Sequence, residues 1–126
     1  VIYPELHYGR DALVGIALFL SHLTKMDKRM TQLRDSYPKY YMQKRKLKLT
    51  DEACLDIVFK ELKYQYRNEN LDTNDGVKID YKNEWVHLRK SNTEPIIRIY
   101  TESDSKEKAN LLADKMISSI NRILQS

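Results

Sequence analysis

Residues 89–95, RKSNTEP, form the segment of this sequence that is best equipped to bind an anion. Arg89 carries a planar guanidinium fork whose donors match the geometry of phosphate oxygens. Ser91 and Thr93 add hydroxyl donors. Asn92 adds an amide and tolerates left-handed backbone geometry, which can turn successive N–H groups toward one anion. The chemistry that these residue types support is the binding of a phosphate group.

The same segment also suits an ordinary connection between strands. It lies between EWVHL and IIRIY, which both have the pattern of strands, and Ser, Asn, Thr and Pro are common turn residues. On spacing alone, a plain connecting loop is therefore the favoured interpretation. Lys90 could add charge to a site, and Arg98 in the following strand could reach back to it. Alternatively, Arg98 could pair with Glu94 and hold the loop in shape.

The rest of the sequence offers no catalytic or metal-binding constellation. The histidines at positions 7, 22 and 87 match no metal-ligand spacing, no serine has a nucleophile-elbow setting, and no glycine-rich phosphate loop occurs. We therefore predict no catalytic residue and no metal ligand in this chain. Cys54 is the only cysteine and allows no internal disulfide, so a small buried hydrophobe on a helix is the favoured interpretation. A reducing, cytoplasmic location fits this composition.

Composition indicates a globular chain with a mild preference for anions. Of the 126 residues, 41% are hydrophobic and 32% are charged, and the formal net charge is +4. The longest apolar run, residues 12–20, is well short of the ~20 residues that a membrane helix needs. We therefore predict no membrane partner.

One basic segment supports an alternative function. Residues 39–46, KYYMQKRK, interleave aromatic and cationic side chains, which could stack on bases and contact phosphates. The favoured interpretation is a solvated linker and an edge strand whose lysines discourage pairing. Nucleic acid is accordingly a disfavoured partner, although a nucleic-acid-binding module stays an alternative.

Two helices are predicted in the first third of the chain. Gly9 to about Lys25 has apolar residues at helical spacing, and residues 31–36 form a short second helix that Pro38 ends. The first helix is apolar nearly all round, which indicates that it needs neighbours on several sides. A second alternative function is therefore an interaction domain that uses residues 13–23.

The remaining sequence predicts an α+β domain. Strands are expected in the second half of residues 39–49 and at 77–81, 85–88 and 96–102, with a polar loop at 68–76. Thr50 is expected to cap one helix, and Asp104, with Glu107, to open another. The order β-α-β-β-β-α predicts an antiparallel four-stranded sheet with two helices on one face. A domain boundary is predicted near Met42.

Two parts of the sequence resemble a known family. RKSNTEPIIRIYTES closely resembles the C-terminal phosphate-binding loop of the α-D-phosphohexomutases, in particular phosphomannomutase/phosphoglucomutase. YPELHYGRDALVGIALFLSHL and LRDSYPKYYM resemble the end of the third domain of the same family. Lys90 departs from the proline or alanine that is common at its position, but its side chain need not face the ligand.

The resemblance implies one part of a four-domain isomerase, an intramolecular phosphotransferase of carbohydrate metabolism. Such an enzyme moves phosphate between the 1- and 6-positions of a hexose through a phosphoserine and Mg²⁺. The family's fourth domain, similar in fold to the TATA-binding protein, clamps the substrate phosphate. Residues 1–42 would be the tail of the third domain and residues 43–126 the fourth.

The family's motif also implies site residues and partners. The positions that would make the phosphate clamp are Arg89, Ser91, Asn92 and Thr93. Glu94 and Arg98 also match the motif and would support the loop. The phosphoserine, Mg²⁺ and sugar-recognition loops are expected outside these residues, in missing domains of the same chain, so the chain alone should be inactive. Its partner would be a hexose phosphate, namely mannose or glucose 1- or 6-phosphate, with glucosamine phosphate also compatible.

Overall fold

The computed structural model describes residues 1–49, 51–91 and 93–125. The chain forms two compact units, Val1–Pro38 and Lys39–Ser126. Met42, near which the sequence predicts a boundary, lies within the first strand of the second unit. The assignment of the two units to the third and fourth domains of a longer enzyme stays a prediction.

The N-terminal unit contains two helices, α1 (Ala12–Met26) and α2 (Met30–Asp35). The Asp11 side chain caps α1 by accepting a hydrogen bond from the Val14 N–H at 3.0 Å, so α1 begins later than the predicted Gly9. None of the residues of α1 is buried, whereas Leu33 of α2 is only 1% exposed. Leu18 and Phe19 of α1 are 44% and 38% exposed. The predicted need of this helix for further neighbours is therefore not met within the described unit.

The second unit is an α+β domain, as predicted. Its elements are β1 (Tyr41–Lys48), α3 (Glu52–Gln65), β2 (Asn70–Asp72), β3 (Val77–Asp80), β4 (Trp85–Lys90), β5 (Ile96–Ser103) and α4 (Lys106–Gln125). All strand pairs are antiparallel, in the order β1-β5-β4-β3-β2. Both helices contribute to a core with the inward residues of the central strands, so one sheet face is covered.

The sheet has five strands rather than the predicted four. The additional strand β2 lies in the segment predicted as a polar loop, and Leu71 pairs there with Ile79 of β3. Asn70 and Asp72 are polar, and three residues are too few to show a period, so composition alone indicated a loop. An edge strand that packs little apolar surface gives only a weak sequence signal.

The core explains why the other strands were predictable. On β3, β4 and β5, alternate residues are fully buried, and they are Val77, Ile79, Val86, Leu88, Ile97 and Ile99. Because side chains alternate between the faces of a sheet, the intervening residues lie on the face opposite α3 and α4. We call this the open face. It includes Arg89, His87, Arg98 and Tyr100.

The two helices of the second unit begin at side-chain caps. Asp51 caps α3 by accepting a hydrogen bond from the Cys54 N–H at 2.9 Å, while the predicted cap, Thr50, lies outside the described residues. The predicted opening of α4 at Asp104 was wrong by one residue, because Ser105 Oγ accepts the hydrogen bond from the Lys108 N–H at 3.2 Å. Asp104 instead accepts a hydrogen bond from the Lys108 ammonium group at 2.8 Å.

Candidate phosphate-binding site

The register of the sheet places two arginines of the predicted site side by side. Arg89, near the end of β4, is directly opposite Arg98 of β5. Opposed residues in an antiparallel pair project from the same face, so both guanidinium groups belong to the open face. On the next strand, Lys46 of β1 is opposite Arg98. Three strands therefore contribute one row of cations at this end of the sheet.

The loop after β4 is closed by backbone hydrogen bonds. The Ser91 N–H donates to the Ile96 carbonyl at 2.9 Å, and the Ile96 N–H donates to the Glu94 carbonyl at 2.7 Å. The Leu49 N–H donates to the Pro95 carbonyl at 2.8 Å, which fastens the loop to the end of β1. A loop held in this way keeps its polar side chains close to Arg89. Asn92, which was also predicted to bind phosphate, lies outside the described residues.

A cavity of about 280 Å³ joins these groups. Its lining residues are Asp75, Arg89, Lys90, Ser91, Thr93 and Arg98. Three cations and two hydroxyl groups thus face a single carboxylate, which is a lining suited to an anion with several acceptor oxygens. Ser91 Oγ is shielded from solvent and has no hydrogen-bond partner among the described residues. It is therefore a donor that a ligand oxygen in the cavity could satisfy.

The structure brings together the described residues of the predicted clamp, but Glu94 is outside this cavity. Both residues are exposed, but only Arg98 lines the cavity, and the described part of the chain contains no ion pair between them. The position of Arg98 fits a direct contact with an anion. The supporting roles of Glu94 and Arg98 stay predictions.

Asp75 is a site residue that the sequence did not reveal. Its carboxylate Oδ2 lies 2.8 Å from Nη2 of Arg89. Asp75 belongs to the turn between β2 and β3, and its backbone carbonyl accepts a hydrogen bond from Nε2 of His87 at 2.6 Å. An Asp-Gly pair predicts a turn, but its distance from Arg89 depends on the register of β3 with β4.

Gly76 makes the close approach of this turn possible. Its φ of +86° is in the left-handed region, and a Cβ atom built there would lie 2.1 Å from the carbonyl oxygen of Leu88. Only glycine adopts this conformation without strain and leaves room for the neighbouring backbone. The turn thereby rests directly against β4, beside Arg89.

Lys90 is held from the other side of the sheet. Its ammonium group pairs with Asp56 of α3 and lies 5.5 Å from the centre of the Phe59 ring. Because Lys90 follows Arg89 in the strand, its side chain starts from the opposite face. This placement is compatible with a lysine at a position where the motif that the sequence resembles commonly has proline or alanine.

The basic segment 39–46 divides between the two faces of the sheet. Arg45 donates a hydrogen bond to Oδ1 of Asn110 in α4 at 2.8 Å. Lys44 and Lys46 belong to the open face, where the Lys44 ammonium lies 6.0 Å from the centre of the Tyr100 ring. Only part of this segment could therefore contact a ligand on the open face.

The described residues do not form a metal centre. They contain no group of three or more His, Cys, Asp or Glu side chains placed to hold a metal ion. The residues of the described cavity are mainly cationic and do not fit Mg²⁺, which prefers oxygen ligands and carboxylates. Across the same described residues, no helix combines the length and apolar character required to cross a membrane.

The comparison with known families matches most of the second unit. Residues 42–119 match the model of the phosphoglucomutase/phosphomannomutase C-terminal domain. The chain belongs to this family. The match includes α3, strands β2 to β5, all but the first residue of β1, and α4 as far as residue 119.

Members of the phosphoglucomutase/phosphomannomutase family with different names are similar to this chain. A phosphoglucomutase/phosphomannomutase of Thermococcus kodakarensis is 38% identical over 110 residues, which cover 86% of this chain and 24% of the relative. A phosphoglucosamine/phosphogalactosamine mutase of Sulfurisphaera tokodaii is 36% identical, with coverages of 91% and 26%. A phosphoglucosamine mutase of Methanococcus vannielii is 31% identical, with coverages of 95% and 27%. The chain spans about a quarter of the length of these curated relatives.

Proposed function

We propose that this chain clamps the substrate phosphate of a hexose phosphomutase. The observation that carries the proposal is the cavity in which Arg89 and Arg98 meet the hydroxyl-bearing residues Ser91 and Thr93. A phosphate monoester offers three oxygens, which these donors can contact from β4, from the loop and from β5. In this proposal, residues 1–42 end the third domain and residues 43–126 are the fourth.

The clamp suits a reaction that moves phosphate between C1 and C6. A mutase must hold a sugar phosphate in two orientations, and a site that binds phosphate without recognising the ester position accepts both. Each charge-assisted hydrogen bond contributes about 1.5–3 kcal/mol. Because association has its own entropic cost, we expect the chain alone to bind at about millimolar concentration, near −4 kcal/mol.

The choice of sugar and the chemical step belong, in this proposal, to other parts of the enzyme. The cavity lining consists of cations, hydroxyl groups and one carboxylate, which suits phosphate more than it discriminates among sugars. Relatives of similar identity carry names with different sugars, which supports selection outside this domain. The phosphoserine and the Mg²⁺ ligands would lie outside residues 1–126. The purified chain should therefore show no mutase turnover. The cytoplasmic location that the sequence suggested stays a prediction.

An NMR titration of the ¹⁵N-labelled chain tests the clamp. Glucose 1-phosphate should shift the amide signals of Ser91 and Thr93 saturably, and plain glucose should not. Arg89→Ala should abolish the response. Lys44→Ala is the matched control, because it removes a cation of the open face that does not line the cavity. Shifts that persist in Arg89→Ala, or that plain glucose reproduces, would contradict the proposal.

Nucleic-acid binding is a second candidate function because of one observation. Lys44, Lys46 and Tyr100 share the open face, and cations beside an aromatic ring suit phosphates and stacked bases. This hypothesis predicts salt-dependent binding of a short oligonucleotide that Lys44→Glu with Lys46→Glu abolishes. Arg45 should be left unchanged in this test, because its hydrogen bond to Asn110 is part of the packing of α4. Binding that is unaffected by the two substitutions would rule out this surface.

A further inference from the structure

Asp75 supplies an anion to Arg89 from within the protein. Its carboxylate lies 2.8 Å from the Arg89 guanidinium and lines the same cavity as Ser91 and Arg98. A phosphate oxygen that accepted a hydrogen bond from the N–H of Nη2 that faces Asp75 would need the position of this carboxylate. The two anions would also repel each other inside one cavity. Phosphate and Asp75 therefore compete for the side of the Arg89 guanidinium that Asp75 contacts.

The backbone around Asp75 is fixed while its side chain is accessible. The turn is held by the hydrogen bond from His87 to the Asp75 carbonyl and by the contact of Gly76 with β4. The Asp75 side chain is 63% exposed, and that of Arg89 is 47% exposed. Rotation of the Asp75 side chain could release Arg89 without moving the turn. Exposed ion pairs are weak, so a dianion can displace the carboxylate at modest cost.

We propose that Asp75 competes with the substrate phosphate for Arg89 and thereby lowers the affinity of the clamp. This inference rests on the proposed phosphate-clamping function. If Asp75 competes in this way, its ion pair with Arg89 holds the guanidinium in place when the site is empty, and the site releases phosphate readily. Weak retention suits an intermediate that must turn over between two orientations.

The test is the same titration carried out with Asp75→Asn, which removes the charge and keeps the shape of the side chain. We expect glucose 1-phosphate to bind Asp75→Asn about two- to fivefold more tightly than the wild-type chain, as estimated from the weakness of exposed ion pairs. Asp114→Asn is the matched control, because Asp114 is an exposed carboxylate of α4 that does not line the cavity. This control should change the affinity by less than about twofold, since distant surface charges are screened.

The outcomes separate this inference from the proposed function. Binding that depends on Arg89 but is unchanged or weaker in Asp75→Asn would overturn the competition and leave the phosphate clamp standing. A response seen only in Asp75→Asn, and lost when Arg89→Ala is added, would support the competition in its strongest form. An equal gain in Asp114→Asn would show a general charge effect and overturn it. No response that depends on Arg89 in either chain would overturn both proposals.

Discussion

Replacing Gly76 with alanine should destabilise the second unit and disturb its anion site together. The left-handed conformation at φ +86° costs an L-residue about 1–2 kcal/mol. In addition, the new Cβ atom would start 2.1 Å from the Leu88 carbonyl oxygen, whereas ordinary contacts begin near 3.4 Å. The turn must therefore move away from β4, at the cost of about one backbone hydrogen bond, or about 1 kcal/mol. We expect a total loss of about 2–3 kcal/mol.

The assay is urea unfolding followed by the fluorescence of Trp85. Trp85 is the only tryptophan and lies in β4, so its signal reports on the sheet that Gly76 contacts. Gly15→Ala is the matched control, because it adds the same methyl group within helix α1, where the nearest atom is Cγ2 of Val1 at 3.0 Å. That side chain can move, and alanine favours helices, so the Trp85 transition should keep its midpoint.

Gly76→Asn separates the two causes of the loss. Asparagine tolerates positive φ better than alanine but carries the same Cβ atom. If contact with Leu88 dominates, Gly76→Asn should be almost as unstable as Gly76→Ala. If the conformation dominates, Gly76→Asn should recover most of the stability. A loss below about 0.5 kcal/mol in both variants would refute the reasoning, since surface substitutions without a structural role usually stay in that range.

Three further predictions concern groups outside the anion site. The Cys54 N–H holds the pKa of Asp51 below its ordinary value of 3.8. This cap therefore stabilises α3 above about pH 4 and loses its effect as the pH falls through the lower pKa of the folded state. The difference in urea midpoint between wild type and Asp51→Ala should shrink with acidification. Burial, together with the nearby Tyr66, Glu69 and Glu84, raises the pKa of Tyr81 to about 12. The chain should therefore lose stability as the pH rises from about 10 to 12. The urea midpoint of Tyr81→Phe should not fall in that pH window. Thr101, fully buried, donates a hydrogen bond to the Ala109 carbonyl at 2.7 Å; Thr101→Val should cost about 1 kcal/mol in the same unfolding assay, and an unchanged midpoint would contradict the role of this bond.

Elements with a long hydrophobic period were the most predictable part of the fold. The last helix buries Ala109, Leu112, Met116 and Ile120, which recur at helical spacing in the sequence. Leu124 continues the same spacing but is 40% exposed, whereas its neighbour Ile123 is only 7% exposed, so Leu124 lies at the margin of the buried face. Periodicity therefore identified which face of the helix is buried but not how wide the buried face is.

The candidate site was predictable only as far as its residues are neighbours in sequence. Arg89, Ser91 and Thr93 were identified together because one motif contains them, and the structure places all three in one cavity. Asp75 was missed because its position beside Arg89 depends on the pairing of β3 with β4 and on the close approach at Gly76. Strand β4 also extends past its predicted end at Leu88 to Lys90, so the side chains of Arg89 and Lys90 start from opposite faces of the sheet. Pairing register is set by the packing of the whole sheet, which a linear motif does not contain.

The cross-strand pair of Arg89 with Arg98 makes the sheet itself sensitive to the surrounding salt. Two like charges opposite each other weaken a β ladder, so an anion bound between them, as proposed, would act as a counterion for the fold as well as a ligand. Any anion that binds only the folded chain raises its stability by RT ln(1 + [L]/Kd), which is about 1.4 kcal/mol when the anion is present at about nine times its dissociation constant. Phosphate- or sulfate-buffered samples would therefore melt at higher temperature than samples in a chloride buffer of equal ionic strength.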